Sequence, residues 1–115
     1  MSLRELNNKI REFCEERNWT QFHTPKDLAI GLSTESNELL ELFRFKNQDD
    51  QVALLQDTET RAEIEDELAD SLFFLLRFAD LNNIDLEEAL TTKLEKNRSR
   101  YPVDESHSSN VKYDQ

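Results

Sequence analysis

One glycine and two prolines are all that strongly interrupt the backbone of 115 residues, and this scarcity limits the possible folds more than any motif does. Leu, Glu, Asp, Lys and Arg are abundant, and they favour helices over strands. The expected fold class is therefore all-α. The length is that of a single domain, large enough to bury a core but near the lower end of comfortable monomer stability.

The first helix is expected to start at a capping box of Ser2 and Glu5. It carries Leu3, Leu6, Ile10, Phe13 and Cys14 at helical spacing and ends near Arg17. Asn18 to His23 reads as an aromatic loop. Thr24 then caps a second helix with Pro25 in its first position and Asp27 completing another capping box. That helix should reach roughly Lys46, with Leu28, Leu32, Leu39, Leu42 and Phe43 on its apolar face and Gly31 tolerated inside it. Asn47 to Asp57 is polar, with room for a short helical turn around Val52 to Leu55.

A third helix spans about Thr58 to Leu81. Its run Leu72-Phe73-Phe74-Leu75-Leu76 is apolar around the whole circumference, which predicts burial on nearly every side and an obligate dimer, since so short a chain cannot cover it. The fourth helix begins at Asp85 with Glu88 three residues on, turns Leu86, Ala89, Leu90 and Leu94 inward, and ends near Tyr101-Pro102. The expectation is a four-helix bundle over residues 1–102. A polar tail, 103–115, follows and lacks periodicity.

The net charge of −11 argues against a polyanionic partner such as nucleic acid. No apolar run approaches the roughly 20 residues that span a bilayer, and Arg4, Glu5, Lys9 and Arg11 interrupt any signal-peptide pattern, so no membrane association and a cytoplasmic location are expected. The single cysteine, Cys14, has no disulfide partner and reads as a small core residue.

Against this background the acids are out of place. On a helical wheel Glu35 falls in the sector of Leu28, Leu32, Leu39 and Leu42, with Glu38 at its edge. Glu67 borders the stripe of Ile64, Leu68, Leu75 and Phe78, and Asp70 follows one turn later. A lone Glu-x-x-Glu is ordinarily a solvated pair. Two pairs that each displace a residue from an apolar stripe imply a cation between them, because ionised carboxylates driven together lose hydration at about several kcal/mol each. Oxygen-only ligands favour Mg2+, with Mn2+ as a substitute, and the absence of a histidine beside either pair argues against di-iron.

The pattern Glu35-Ser-Asn-Glu38 followed by Glu67-Leu-Ala-Asp70 resembles the ExxE…ExxD signature of the all-α nucleotide pyrophosphohydrolases, the MazG-like branch in particular. Glu16-Arg-Asn-Trp-Thr-Gln-Phe-His-Thr-Pro25 and Asn97-Arg-Ser-Arg-Tyr-Pro102 are similar to segments of its dCTP pyrophosphatase-type members. The resemblance implies hydrolysis of a nucleoside triphosphate at the α-phosphorus, with Glu35 or Glu38 as general base and a homodimer or homotetramer, a dimer of dimers, as the working form. It further implies phosphate contacts from Lys93, Asn97 and Arg100, whose spacing independently places them on one helical stripe. Base contacts fall to His23, with Trp19, Phe22 and Phe45 as wall residues, and to Phe74, while Ser108, Ser109, Lys112 and Tyr113 of the tail are placed to close over the ligand. Phe45 and Phe74 replace a tryptophan and a tyrosine of the dCTP-type pattern, which leaves base selectivity open. The alternatives are a dUTP or phosphoribosyl-ATP hydrolase of the same superfamily, or a non-catalytic acidic helical module that binds partner helices.

Overall fold

A computed structural model describes residues 1–106, whose regular structure is helical with no strand among them. The chain divides into two compact units, Met1–Asn82 and Asn83–Gln115.

In the first unit, α1 (Leu3–Glu16) begins with the expected reciprocal cap, Ser2 accepting the Glu5 N–H while the Glu5 carboxylate reaches back to the Ser2 N–H. A short 3-10 turn, Thr20–Phe22, replaces the expected irregular loop. Thr24 Oγ1 accepts the Asp27 N–H at 3.1 Å to open α2 (Pro25–Phe43), but only this forward half of the predicted capping box forms. The helix also stops short of Lys46, because Arg44 leaves helical geometry and Phe45 turns to a left-handed φ of 64°.

The polar stretch holds a complete additional helix, α3 (Gln48–Gln56), where only a turn was expected. Its stability is local: Asn47 Oδ1 accepts the Asp50 N–H at 2.8 Å, and Asp49 and Asp50 complement the dipole in the first turn. Among the described residues five helices of at least nine residues thus stand where four were expected. The longest, α4 (Thr58–Leu81), occupies the predicted span and is capped by Asp57.

Helix α4 packs chiefly along α2 and also against α1 and α3. Cys14, Leu28, Ile64, Leu76 and Ala79 form the core, each large aliphatic side chain contributing about 1.5–3 kcal/mol on burial. Burial also raises the Cys14 thiol pKa, in keeping with a packing role. The Leu72–Leu76 run is not covered on all sides within one chain. Leu76 is buried and Phe73 and Phe74 are half-buried, but Leu72 and Leu75 remain 40% and 43% exposed. With Leu68, 52% exposed, they form an open apolar stripe at i, i+4 and i+7.

The second unit contains α5 (Leu86–Arg100), capped by Asp85 through the Glu88 N–H at 3.1 Å, with Arg98 and Arg100 in its last turn. Leu86 is half-buried, whereas Ala89, Leu90 and Leu94, expected to face inward, are exposed. The only other helix described in this unit, α6 (Val103–Ser106), is a single turn and too short to cover them. It occupies the start of the segment expected to be structureless. Ser108, Ser109, Lys112 and Tyr113 lie outside the described residues. No described helix is long and apolar enough to cross a membrane.

Candidate metal centre

Gly31 lets α2 and α4 approach closely. A Cβ at this position would meet Phe74 Cζ at 2.6 Å and Cδ1 at 2.7 Å, with Cε1 also in collision, so the ring rests directly on the α2 backbone. Glu35 lies one turn beyond Gly31, and the same approach therefore helps set its separation from Glu67 on α4. Gly31→Ala should cost about 1–3 kcal/mol, the usual scale of overpacking, read as a lower denaturation midpoint. An unchanged midpoint would mean that the ring swings aside freely.

One carboxylate oxygen from each of Glu35, Glu38 and Glu67 lies within 4.8 Å of the other two. Glu35 and Glu67 are half-buried and Glu38 is exposed. Asp70 is exposed and lies outside this convergence, yet its charge still acts on Glu35. Glu35 Oε2 and Glu67 Oε2 are buried without a hydrogen-bond donor, which leaves room for either a proton or a cation between them. The crowding favours a proton: Glu35 is pushed from 4.5 up to about 7, first by a hydrogen bond shared with Glu67, then by lost hydration, then by Glu38 and Asp70. Orphaned oxygens, an all-carboxylate donor set and concentrated negative charge fit a hard divalent cation.

The aromatic candidates are partly assembled. Edge-to-face contacts run from His23 to Trp19 at 6.4 Å, from Trp19 to Phe13 at 5.4 Å, from Phe13 to Phe73 at 6.4 Å and from Phe73 to Phe74 at 5.4 Å. Trp19, His23 and Phe74 are thereby linked through Phe13 and Phe73. Phe45 stands apart, 91% exposed on its left-handed turn with the Arg44 guanidinium 4.9 Å from its ring, and Phe22 is also exposed. On α5, Lys93 and Arg100 are exposed and Asn97 is half-buried.

Sequence reasoning missed Arg77. It is fully buried on α4, donating to His23 Nδ1 at 3.1 Å and to Thr20 Oγ1 at 2.9 Å. A charged residue in the middle of an apolar run was the available signal.

Residues 30–115 match the MazG-like family. The chain is 37% identical over 112 residues to dCTP pyrophosphatase 1 of Mus musculus and 36% identical over 112 residues to that of Homo sapiens. Both alignments take in 97% of this chain but only 66% of the relative, so the chain spans just under two thirds of their length. A solved structure of a pyrophosphatase from Archaeoglobus fulgidus DSM 4304 is similar at a TM-score of 0.81 and 40% identity, covering 86% of this chain and 91% of that one. Acids converging from two packed helices, a family match over most of the chain's length and this structural likeness lead to one assignment: the chain belongs to the MazG-like family.

Proposed function

We propose that this protein is a magnesium-dependent nucleoside triphosphate pyrophosphohydrolase that converts a (d)NTP to the monophosphate and pyrophosphate. The observation that carries this reading is the pair of donorless buried oxygens on Glu35 and Glu67, with Glu38 completing a convergence narrow enough for a cation to bridge. Similarity to proteins named dCTP pyrophosphatase 1 and pyrophosphatase supports the reaction and favours a dCTP-like substrate among those accepted. A cytoplasmic house-cleaning or pool-balancing role accords with such chemistry.

In this reading Glu35, Glu38 and Glu67, joined by Asp70, would hold the cation, for which Mn2+ could substitute. When bound, it would neutralise phosphate oxygens and acidify a nearby water. Glu35 and Glu38 are the two candidates to take a proton from an attacking water. Lys93, Asn97 and Arg100 are assigned to the phosphates; Trp19, His23, Phe45 and Phe74 to the base; Lys112 and Tyr113 to closure. The exposed stripe of Leu68, Leu72 and Leu75 favours a homodimer, itself able to pair into a homotetramer. A stable species of 13.6 kDa in sedimentation at low concentration would refute that assembly.

The bond cleaved is the direct test. An analogue with a carbon or nitrogen bridge between the α- and β-phosphates should bind and resist hydrolysis, whereas a β,γ-bridged one should still yield the monophosphate. Orthophosphate as the first product would reject the proposal. A nucleotide panel separates dCTP from dUTP and phosphoribosyl-ATP as preferred substrates.

A further inference from the structure

Arg77 is 1% exposed in the apolar half of α4, and the hydrolytic reading gives it no task. A guanidinium keeps its charge, so its burial requires acceptors and a nearby counter-charge. The acceptors come from the turn that follows α1. Nε donates to His23 Nδ1 at 3.1 Å and Nη2 to Thr20 Oγ1 at 2.9 Å. Counter-charge comes from Asp80, whose Oδ2 is 4.0 Å from Nη1 and which also receives two hydrogen bonds from Arg11 on α1, at 2.6 and 3.1 Å.

The direction of the histidine bond determines where its proton sits. Arginine only donates, so Nδ1 must present its lone pair, and a neutral ring then carries its hydrogen on Nε2. A second proton would have to occupy Nδ1, facing the Nε–H of Arg77. The charged and titratable groups of this cluster are Arg77 and Asp80 on α4 and Arg11 and Cys14 on α1, and burial together with the Arg77 charge holds His23 below the ordinary histidine range. Nε2 has no partner among the described residues, while the Trp19 ring stands at 70° to the imidazole with centroids 6.4 Å apart.

We infer that Arg77 is a positioning residue for nucleotide recognition: it fixes His23 as a neutral imidazole offering Nε2–H to a hydrogen-bond acceptor on the ligand's base. This rests on the assignment of His23 to the base under the proposed function. The specificity it implies is for a ring carbonyl or an unprotonated ring nitrogen, and against a donor at the same place.

The test begins with the unmodified full chain. Imidazole 15N shifts at pH 7 with magnesium present should show a protonated Nε2 and an unprotonated Nδ1 on His23, with a His107→Gln variant assigning the only other histidine. An Nδ1–H tautomer or an imidazolium at that pH overturns the inference without reference to any folding defect. In folded Arg77→Met the tautomer preference should be lost and KM for dCTP should rise about tenfold, the scale of one hydrogen bond, with kcat little changed. Arg77→Lys, which retains a cationic donor, should recover part of the loss. An unchanged KM in folded Arg77→Met, or a fall confined to kcat, overturns the positioning role. Failure of the unmodified protein to bind or hydrolyse any nucleotide removes the functional reading and the recognition role with it, whereas a wrong tautomer in an active enzyme removes only this inference.

Discussion

Glu67→Gln is expected to lower kcat for triphosphate hydrolysis by roughly 10²–10⁴-fold while raising the melting temperature of the metal-free protein. The two effects share one cause. A carboxylate oxygen of Glu67 lies within 4.8 Å of one from Glu35 and Glu67 Oε2 is buried with no hydrogen-bond partner, so the folded chain crowds together acids that the unfolded chain keeps apart. A glutamine amide supplies the missing donor but removes the negative charge that a cation needs. Kinetics with magnesium and melting with a chelator should therefore move in opposite directions. Retained hydrolysis would exclude Glu67 from the site. If no triphosphate is hydrolysed at all, the alternative of a non-catalytic helical module gains support.

The second large effect is a change in the sign of the pH dependence on adding metal. Glu35 titrates near 7 in the folded, metal-free chain and ordinarily at 4.5, so between those values the folded state binds the extra proton. Its contribution to stability must then fall as pH rises through that window, levelling off above about 7. His23 opposes this slope, because a histidine held below its ordinary value favours folding increasingly as pH rises. The difference between the unmodified protein and Glu35→Gln isolates the carboxyl. With magnesium the Glu35 slope should reverse, since binding displaces its proton and strengthens with pH up to about 7. Melting curves from pH 5 to 8, with chelator and then with magnesium, would falsify the coupling if the difference kept the same sign in both.

Much of this structure was legible because its signals are local. Ser2 and Glu5, Thr24 and Pro25, and Asp57 to Leu81 state their helix boundaries within a few residues, and the misplaced acids stand out against aliphatic neighbours. Helix α3 was expected only as a turn around Val52 to Leu55, because the Asn47 cap and the acids after it precede a segment too short to show a clear apolar period. The early end of α2 was hidden for a related reason: Phe43 and Phe45 continue an apolar texture past the point where the backbone turns left-handed. Arg77 illustrates the limit most clearly. Its partners lie 54 and 57 residues away along the chain, and no local pattern connects them.

The contact between Gly31 and Phe74 also constrains how such a chain can diverge. The missing Cβ and the ring occupy the same space, so a larger residue at 31 becomes acceptable only after the residue at 74 has shrunk or changed shape. The order of the two changes matters. Reducing Phe74 first leaves a void and a stability loss, whereas enlarging Gly31 first forces the helices apart beside the acid cluster. Drift at the ring position, which carries no charge, is thereby tied to the spacing of the acid cluster through a glycine one helical turn from Glu35.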